Sequence, residues 1–131
     1  MATIFTRIIK GEIPCYKIYE DENYFAFLDI NPLQKGHTLV IPKKEDDYIF
    51  NLDDATYSGL MMTAKKIAAA IKESTNCKRV GVTVLGMEVP HVHIHLIPMN
   101  SEKDMLFSNP KMELSKEEFE AIAADISKRV K

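Results

Sequence analysis

The sequence predicts one α+β domain, in which a long helix and a carboxy-terminal helix pack on a five-stranded antiparallel sheet. Three observations support this fold class. Residues 91–97 alternate between polar and apolar types at strand spacing, whereas a long stretch after residue 53 repeats apolar residues at helical spacing. The predicted elements follow the order β-β-β-α-β-β-α, and 131 residues suffice for one core without a second domain.

The amino-terminal third of the chain predicts a short helix or turn over residues 4–12, followed by three strands. The segments 16–20 and 24–29 are predicted strands, and the polar turn between them is typical of a hairpin. A third strand is predicted over residues 37–42, where His37 shares one face with alternate apolar residues. His37 is therefore a candidate to lie beside the other histidines of the chain.

A long core helix and two further strands are predicted for the middle of the chain. Asp53 or Asp54 is a natural N-cap for this helix, and Asn76 is expected to end it. The segments 80–85 and 89–97 are predicted strands joined by a short turn at a glycine. They are therefore expected to pair as antiparallel neighbours.

The carboxy-terminal part of the chain predicts an irregular segment and a final helix. Residues 100–113 are polar and interrupted by a proline, which is typical of a segment without regular structure. Ser115 and Glu118 have the spacing of a capping box, and apolar residues follow at helical offsets. A helix is therefore expected to begin there.

Three of the four histidines occupy alternate positions in the fifth predicted strand, at His91, His93 and His95. On a strand their rings would share one face, about 6 to 7 Å apart, with an aliphatic face opposite. A solvated strand face is the simplest alternative. A row of imidazoles opposite a purely aliphatic face is better suited to hold an anion or a metal.

Adjacent imidazoles provide the groups that phosphorus chemistry needs near neutral pH. A neutral ring can attack phosphorus, a second ring can donate a hydrogen bond to the phosphoryl oxygens, and a protonated ring can supply a proton to the leaving group. Mutual repulsion disfavours charging all the rings at once, so at least one ring is expected to remain free to attack.

The segment His91–Pro98 resembles the signature of the histidine-triad (HIT) family of nucleotidyl hydrolases and transferases, in which three histidines alternate with hydrophobic residues. Three further segments are similar to the family's amino-terminal segment, its nucleoside-binding strand and the strand after it: residues 4–14, 28–32 and 36–44. The likeness covers residues 4–99 and is to the bacterial members of the Hint branch in particular, which leaves residues 100–131 as a tail and a helix.

The resemblance implies a role for each histidine. His93 is expected to be the nucleophile, forming a nucleotidyl-histidine intermediate that water then hydrolyses. His95 is expected to hydrogen-bond the α-phosphate, while His91 and His37 orient the neighbouring rings and complete the phosphate site. The implied substrate is a nucleoside 5′-phosphoramidate or a related nucleotidyl compound, and the product is a nucleoside monophosphate.

Two other functions remain open at the level of the sequence. A dinucleoside polyphosphate hydrolase would use the same histidines on a longer chain of phosphates. A nucleotide-binding or interaction module would keep the site but turn over little substrate. Product analysis separates the first alternative from a phosphoramidase, and binding without turnover would identify the second.

The resemblance also implies which residues bind the nucleoside. A carboxylate can accept two hydrogen bonds from the vicinal hydroxyls of a ribose, which is the role expected of Asp29. The alternative for Asp29 is an ordinary aspartate at a strand end. The residues expected to pack the purine would suit a core equally well and do not distinguish adenine from guanine; they are Phe5, Ile8, Leu28 and Ile30.

The chain departs from the family just ahead of the triad. Many relatives carry Gly-Gln and then a serine or similar residue there, whereas this chain has Met87 and Glu88 after the glycine. Met87 removes a hydrogen-bond donor, and Glu88 brings a carboxylate to the substrate. Glu88 would narrow the choice of leaving group or, if buried, act as a general acid.

No cofactor and no metal are expected. Some bacterial relatives hold structural zinc with an amino-terminal Cys-x-x-Cys pair and with histidines near the third strand and at the triad. Here Thr3 and Thr6 stand in the places of the cysteines, and Glu45 stands where a histidine often does. Zinc on two of the alternating histidines is the remaining chemical alternative.

The composition bounds the remaining partners. A formal net charge of −2 without a basic stripe argues against nucleic acid. No hydrophobic stretch approaches a signal or membrane segment, and the two cysteines fit no metal or disulfide spacing, so a cytoplasmic protein is expected. The resemblance implies a homodimer with a continuous sheet that binds a purine nucleotide or nucleoside phosphoramidate.

Overall fold

Five strands form one antiparallel sheet in the computed structural model, which describes residues 2–131. In chain order they are β1 (Lys17–Glu20), β2 (Tyr24–Leu28), β3 (Thr38–Pro42), β4 (Arg79–Thr83) and β5 (Ile94–Met99). Across the sheet the order is β1-β2-β3-β5-β4, so β1 and β4 are the edges and β3 and β5 are central. The predicted α+β class and the five-stranded antiparallel sheet are confirmed.

Within the described residues, three α-helices accompany the sheet: α1 (Ile4–Ile9), α2 (Asp54–Thr75) and α3 (Lys116–Arg129). Asp53 caps α2 by accepting a hydrogen bond from the N–H of Thr56, as predicted. Asn76 ends α2 in the left-handed conformation, with φ of 56°. Ser115 and Glu118 form the reciprocal capping box that the sequence predicted for α3.

The two faces of the sheet are covered by different elements. On one face α2 and α3 bury an aliphatic core that includes Ile94 and Leu96 of β5. On the other face α1 lays Phe5 and Ile8 against apolar residues of β2 and β3. His95 pairs with Leu39 of the neighbouring strand β3, so its side chain lies on this second face. The sheet therefore separates a packed core from the face that holds the histidines.

The strand that carries the triad is shorter than predicted, which is a correction. β5 begins at Ile94 rather than at residue 89, and β4 ends at Thr83, so a loop replaces the predicted tight turn. Pro90 has no N–H to donate to a strand ladder. The N–H of Val92 bonds to the carbonyl of Asp46 rather than to β4. Only His95 lies in the strand, and His91 and His93 come from the loop before it.

Two smaller differences concern segments beside the site. His37 directly precedes β3 instead of opening it. The segment 100–113 is not wholly irregular, because Glu102–Met105 forms a 3₁₀ turn. Among the described residues 2–131, no helix is both long and apolar enough to cross a membrane.

Candidate active site

His37 and His95 form a buried hydrogen-bonded pair. The N–H of Leu33 donates to Nδ1 of His37 at 3.0 Å, so a neutral His37 carries its proton on Nε2. That Nε2–H faces Nδ1 of His95 at 2.9 Å and donates to it. Burial lowers the pKa of His37 to about 3 and that of His95 to about 4, so both rings are neutral near pH 7. His95 therefore presents its Nε2–H as a donor.

His93 is held in the complementary tautomer. Its Nδ1 lies 2.7 Å from the backbone carbonyl of His91, which can only accept, so Nδ1 carries the proton. In the neutral ring Nε2 is then unprotonated and has a free lone pair. The edge of the His93 ring also packs against Phe5, with ring centroids 5.0 Å apart. The arrangement fixes the ring in the form that a nucleophile requires.

His91 lies behind His93 and His95 and does not line the cleft that those two rings face. Its Nε2 donates to the carbonyl of Pro42 at 2.8 Å, and its Nδ1 accepts from the hydroxyl of Thr3 at 2.8 Å. Burial lowers its pKa, which favours the neutral ring that these two bonds require. The side chain is fully buried. Because the carbonyl of His91 in turn accepts the hydrogen bond from Nδ1 of His93, His91 positions the His93 ring.

One hydrogen-bonded cluster at the start of α1 connects four residues: Thr3, Thr6, Glu45 and His91. The carboxylate of Glu45 accepts from the N–H of Thr3 at 3.0 Å and from the hydroxyl of Thr6, and these two bonds lower its pKa, that of Thr6 first. The four positions at which some relatives hold zinc do converge. Their donors are two hydroxyls, a carboxylate and an imidazole nitrogen already bonded to a hydroxyl, a set that does not fit zinc.

A cleft of about 570 Å³ opens in front of His93 and His95. All six residues predicted to bind substrate line it, namely Phe5, Ile8, Leu28, Asp29, Ile30 and Glu88. His37 and His91 stand behind its wall and support the two rings that face it. Glu88 is exposed at the rim, so it lacks the burial on which a general-acid role would depend.

Asp29 is placed between the apolar part of the cleft and the histidines. One of its oxygens accepts from the N–H of Asn31 at 2.8 Å, and the other lies 3.5 Å from Nε2 of His37. Burial raises the pKa of this carboxyl. Asp29, His37 and His95 offer ligand atoms within 4.8 Å of one another. The Leu33 N–H at Nδ1 keeps the proton of His37 on Nε2, so this cluster is a poor fit for a cation.

The sequence did not identify two residues that the structure brings to the site. Phe107 packs the edge of its ring against His95 and His37, with centroid separations of 5.0 and 6.2 Å. Lys111 lines the same cleft. Both come from the segment after β5, which has no periodicity, and an aromatic followed four residues later by a lysine is too common to mark a site.

Comparisons with known proteins agree with this geometry. The HIT domain family matches residues 10–102. The adenosine 5′-monophosphoramidase hnt1 of Schizosaccharomyces pombe is 38% identical over 133 residues, covering 100% of both chains. A HIT-like protein of Bartonella henselae, crystallised with an unknown ligand, has a TM-score of 0.82 at 31% identity, covering 97% of this chain and 95% of that one. A zinc-bound histidine-triad protein of Mycobacterium smegmatis has a TM-score of 0.81 at 28% identity, covering 98% and 95%.

The family match spans most of the chain, and the solved structures share its fold over nearly its whole length. The four histidines that suggested the likeness meet at one site. The chain therefore belongs to the HIT domain family.

Proposed function

We propose that this protein is a nucleotide-binding hydrolase that cleaves a nucleoside 5′-phosphoramidate, or a related nucleotidyl substrate, at the α-phosphate. The observation that carries the proposal is the pairing of opposite tautomers at the cleft wall. His93 offers a lone pair on Nε2, and His95 beside it offers an N–H. The relative from S. pombe, which is named an adenosine 5′-monophosphoramidase, supports the same reaction class.

The proposed reaction has two displacement steps. In the first, Nε2 of His93 attacks the α-phosphorus, the bond to the leaving amine breaks, and the amine takes a proton from solvent. In the second, water attacks the same phosphorus and returns a proton to solvent, the bond to His93 breaks, and the nucleoside monophosphate leaves. The Nε2–H of His95 donates to a phosphoryl oxygen, where charge builds in both steps.

The rest of the cleft suits the nucleoside. Asp29 would accept hydrogen bonds from the ribose hydroxyls through the oxygen that does not bond to Asn31. Phe5, Ile8, Leu28 and Ile30 would enclose the base; Ile30 is 65% exposed, which leaves apolar area for a ligand to cover. These contacts are stacking and dispersion contacts, so they accept either purine.

The experiment compares wild type with His93→Ala. Both proteins are incubated with adenosine 5′-phosphoramidate, diadenosine polyphosphates and the guanosine counterparts, and the products are separated by chromatography. We expect wild type alone to release the monophosphate from the phosphoramidate. His93→Ala is expected to bind adenosine monophosphate within a few fold of wild type, since its folding and the ribose and base contacts remain.

Other outcomes lead to defined revisions. Faster cleavage of the diadenosine compounds than of the phosphoramidate would make the protein a dinucleoside polyphosphate hydrolase. Nucleotide binding without turnover by either protein would make it a binding module. Substantial turnover by His93→Ala would remove His93 as the nucleophile.

We infer further that the protein forms a homodimer through the β4 edge. β4 pairs with β5 on one side, and its outer side has no partner strand among residues 2–131. Large apolar side chains are exposed on and beside it, such as Val82, Leu85 and Phe50. An exposed apolar edge of this kind favours association with a second copy. Sedimentation at several concentrations tests the inference, and a monomer at all of them would reject it.

A further inference from the structure

The segment 100–112, here called the tail segment, crosses the mouth of the cleft. Its first turn rests on the edge of the sheet at Gly81, where a Cβ would come within 2.5 Å of the sulfur of Met105. Its last part is tied to the loop after β2, because the N–H of Met112 donates to the carbonyl of Pro32 at 2.8 Å. Between these anchors the amide of Asn109 donates to the carbonyl of Lys103 at 2.7 Å. The segment is therefore held against the site at both ends.

Lys111 is positioned by this segment. Its ammonium donates to the carbonyls of Phe107 at 2.5 Å and Asn109 at 3.3 Å. It lies 5.8 Å from the centroid of the Phe107 ring, and that ring packs on His95. The side chain is exposed, and among residues 2–131 no carboxylate lies within 4.0 Å of it. Its ammonium thus lies at the cleft and is bonded to backbone oxygens only.

The charge balance of the cleft gives Lys111 a particular importance. Asp29 and Glu88 are the acidic residues lining it, and Lys111 is the one lysine or arginine lining it among the described residues. The buried rings of His37 and His95 are neutral near pH 7, so they can donate hydrogen bonds but bring no positive charge. Without Lys111, a phosphate entering this cleft would meet two carboxylates and no lysine or arginine among the described lining residues.

The charge of Lys111 influences two buried groups of the site, Asp29 and His37. Burial is the main influence on Asp29 and His37, raising the pKa of the first and lowering that of the second to about 3. In both groups the charge of Lys111 adds a further lowering influence on the pKa. A cation that acts on these two neighbouring groups also acts on an anion bound beside them in the cleft.

We propose that Lys111 is a phosphate-binding residue of the nucleotide site, supplied by the tail segment. On binding, its ammonium exchanges the two backbone carbonyls for the phosphoryl oxygens of the nucleotide. A charge-assisted bond to an anion is stronger than a bond to a neutral carbonyl, and the flexible stem of lysine permits the exchange. This inference rests on the proposed function, because it concerns the same nucleotide.

Calorimetric titration with adenosine monophosphate and with adenosine tests the proposal. Lys111→Ala is expected to bind the monophosphate about tenfold more weakly than wild type, which corresponds to about 1.4 kcal/mol. Adenosine, which has no phosphate, should bind both proteins within twofold. Lys111→Arg keeps the charge and should restore monophosphate affinity to within about threefold of wild type. Lys103→Ala, in the same segment, is the matched control and should behave as wild type.

Three results would overturn the proposal. Unchanged monophosphate affinity in Lys111→Ala would show that the ammonium does not contact phosphate. Equal losses for monophosphate and adenosine would show that Lys111 only holds the tail segment in place. If wild type bound no monophosphate, the proposed function would fail together with this inference. If wild type turned over the phosphoramidate normally and Lys111→Ala kept full monophosphate affinity, this inference alone would be rejected.

Discussion

The outer histidines of the triad are supported in two different ways. His95 is held from inside the sheet by His37, which is held in turn by a backbone N–H, and all of these groups are buried. His91 is held from the surface by Thr3 at the start of α1, and Thr3 is held by the exposed carboxylate of Glu45. The inner support fixes the tautomer of His95 and consists of neutral buried groups. The outer support orients His91, whose tautomer is set by the carbonyl of Pro42, and it ends in an exposed charge.

The two supports should differ in how well they tolerate substitution. A buried neutral hydrogen bond is shielded from solvent, and losing one partner leaves the other unsatisfied. An exposed carboxylate is screened by salt and can be replaced in part by water. The inner support should therefore be more important for activity than the outer one.

Breaking the inner support should give the largest effect. His37→Ala removes the donor to Nδ1 of His95, so the proton of His95 can move to Nδ1 and its Nε2 no longer donates reliably to phosphate. We expect kcat on adenosine 5′-phosphoramidate to fall about hundredfold, as when an oxyanion donor is lost. Steady-state kinetics measures this, with a thermal melt to confirm folding. A loss below threefold would show that His95 keeps its tautomer without His37.

Acid should destabilise the protein through the buried rings of the inner support. An unfolded histidine gains a proton near pH 6.5, whereas folding lowers the pKa of His37 to about 3 and that of His95 to about 4. Below pH 6.5 the unfolded state thus binds more protons, so stability falls as pH falls. We expect a loss of about 1 kcal/mol per pH unit for each ring between pH 6.5 and 5.

Urea unfolding at pH 5, 5.5, 6 and 6.5 measures this slope. The range lies above the titration of most carboxyl groups, so the buried histidines dominate it. His37→Gln removes one of these rings and should flatten the slope. An identical slope in wild type and His37→Gln would show that His37 does not change its protonation on unfolding in this range.

Breaking the outer support should have the smallest effect. Thr3→Val removes the hydroxyl that donates to His91 and that caps α1, while keeping the shape of the side chain. We expect kcat to fall about threefold. The free energy of unfolding should fall by about 1 kcal/mol, because the N-cap of α1 is lost. Thr3→Ser keeps the hydroxyl and is the control. A loss as large as that of His37→Ala would contradict the ranking of the two supports.

Much of the architecture follows from the sequence, because local signals specify it. The caps at Asp53 and Ser115 and the apolar periodicity of α2 depend on neighbouring residues only. The prediction that the fifth strand starts at residue 89 was wrong. The N–H of Val92 instead donates to the carbonyl of Asp46, which is far away in the chain, so no local signal marks this bond. For the same reason the tautomers of His91 and His95 could not be predicted, because they depend on Pro42 and His37, which lie 49 and 58 residues away in the chain.

The tail segment places the final part of the site late in the chain, after every strand of the sheet. Helix α3 comes later still and packs on the core face of the sheet, and a domain generally folds as one unit. The tail segment joins β5 to α3, so the core cannot be completed without it. If Lys111 binds phosphate as proposed, the packed core and the positive charge of the cleft are gained in the same folding step.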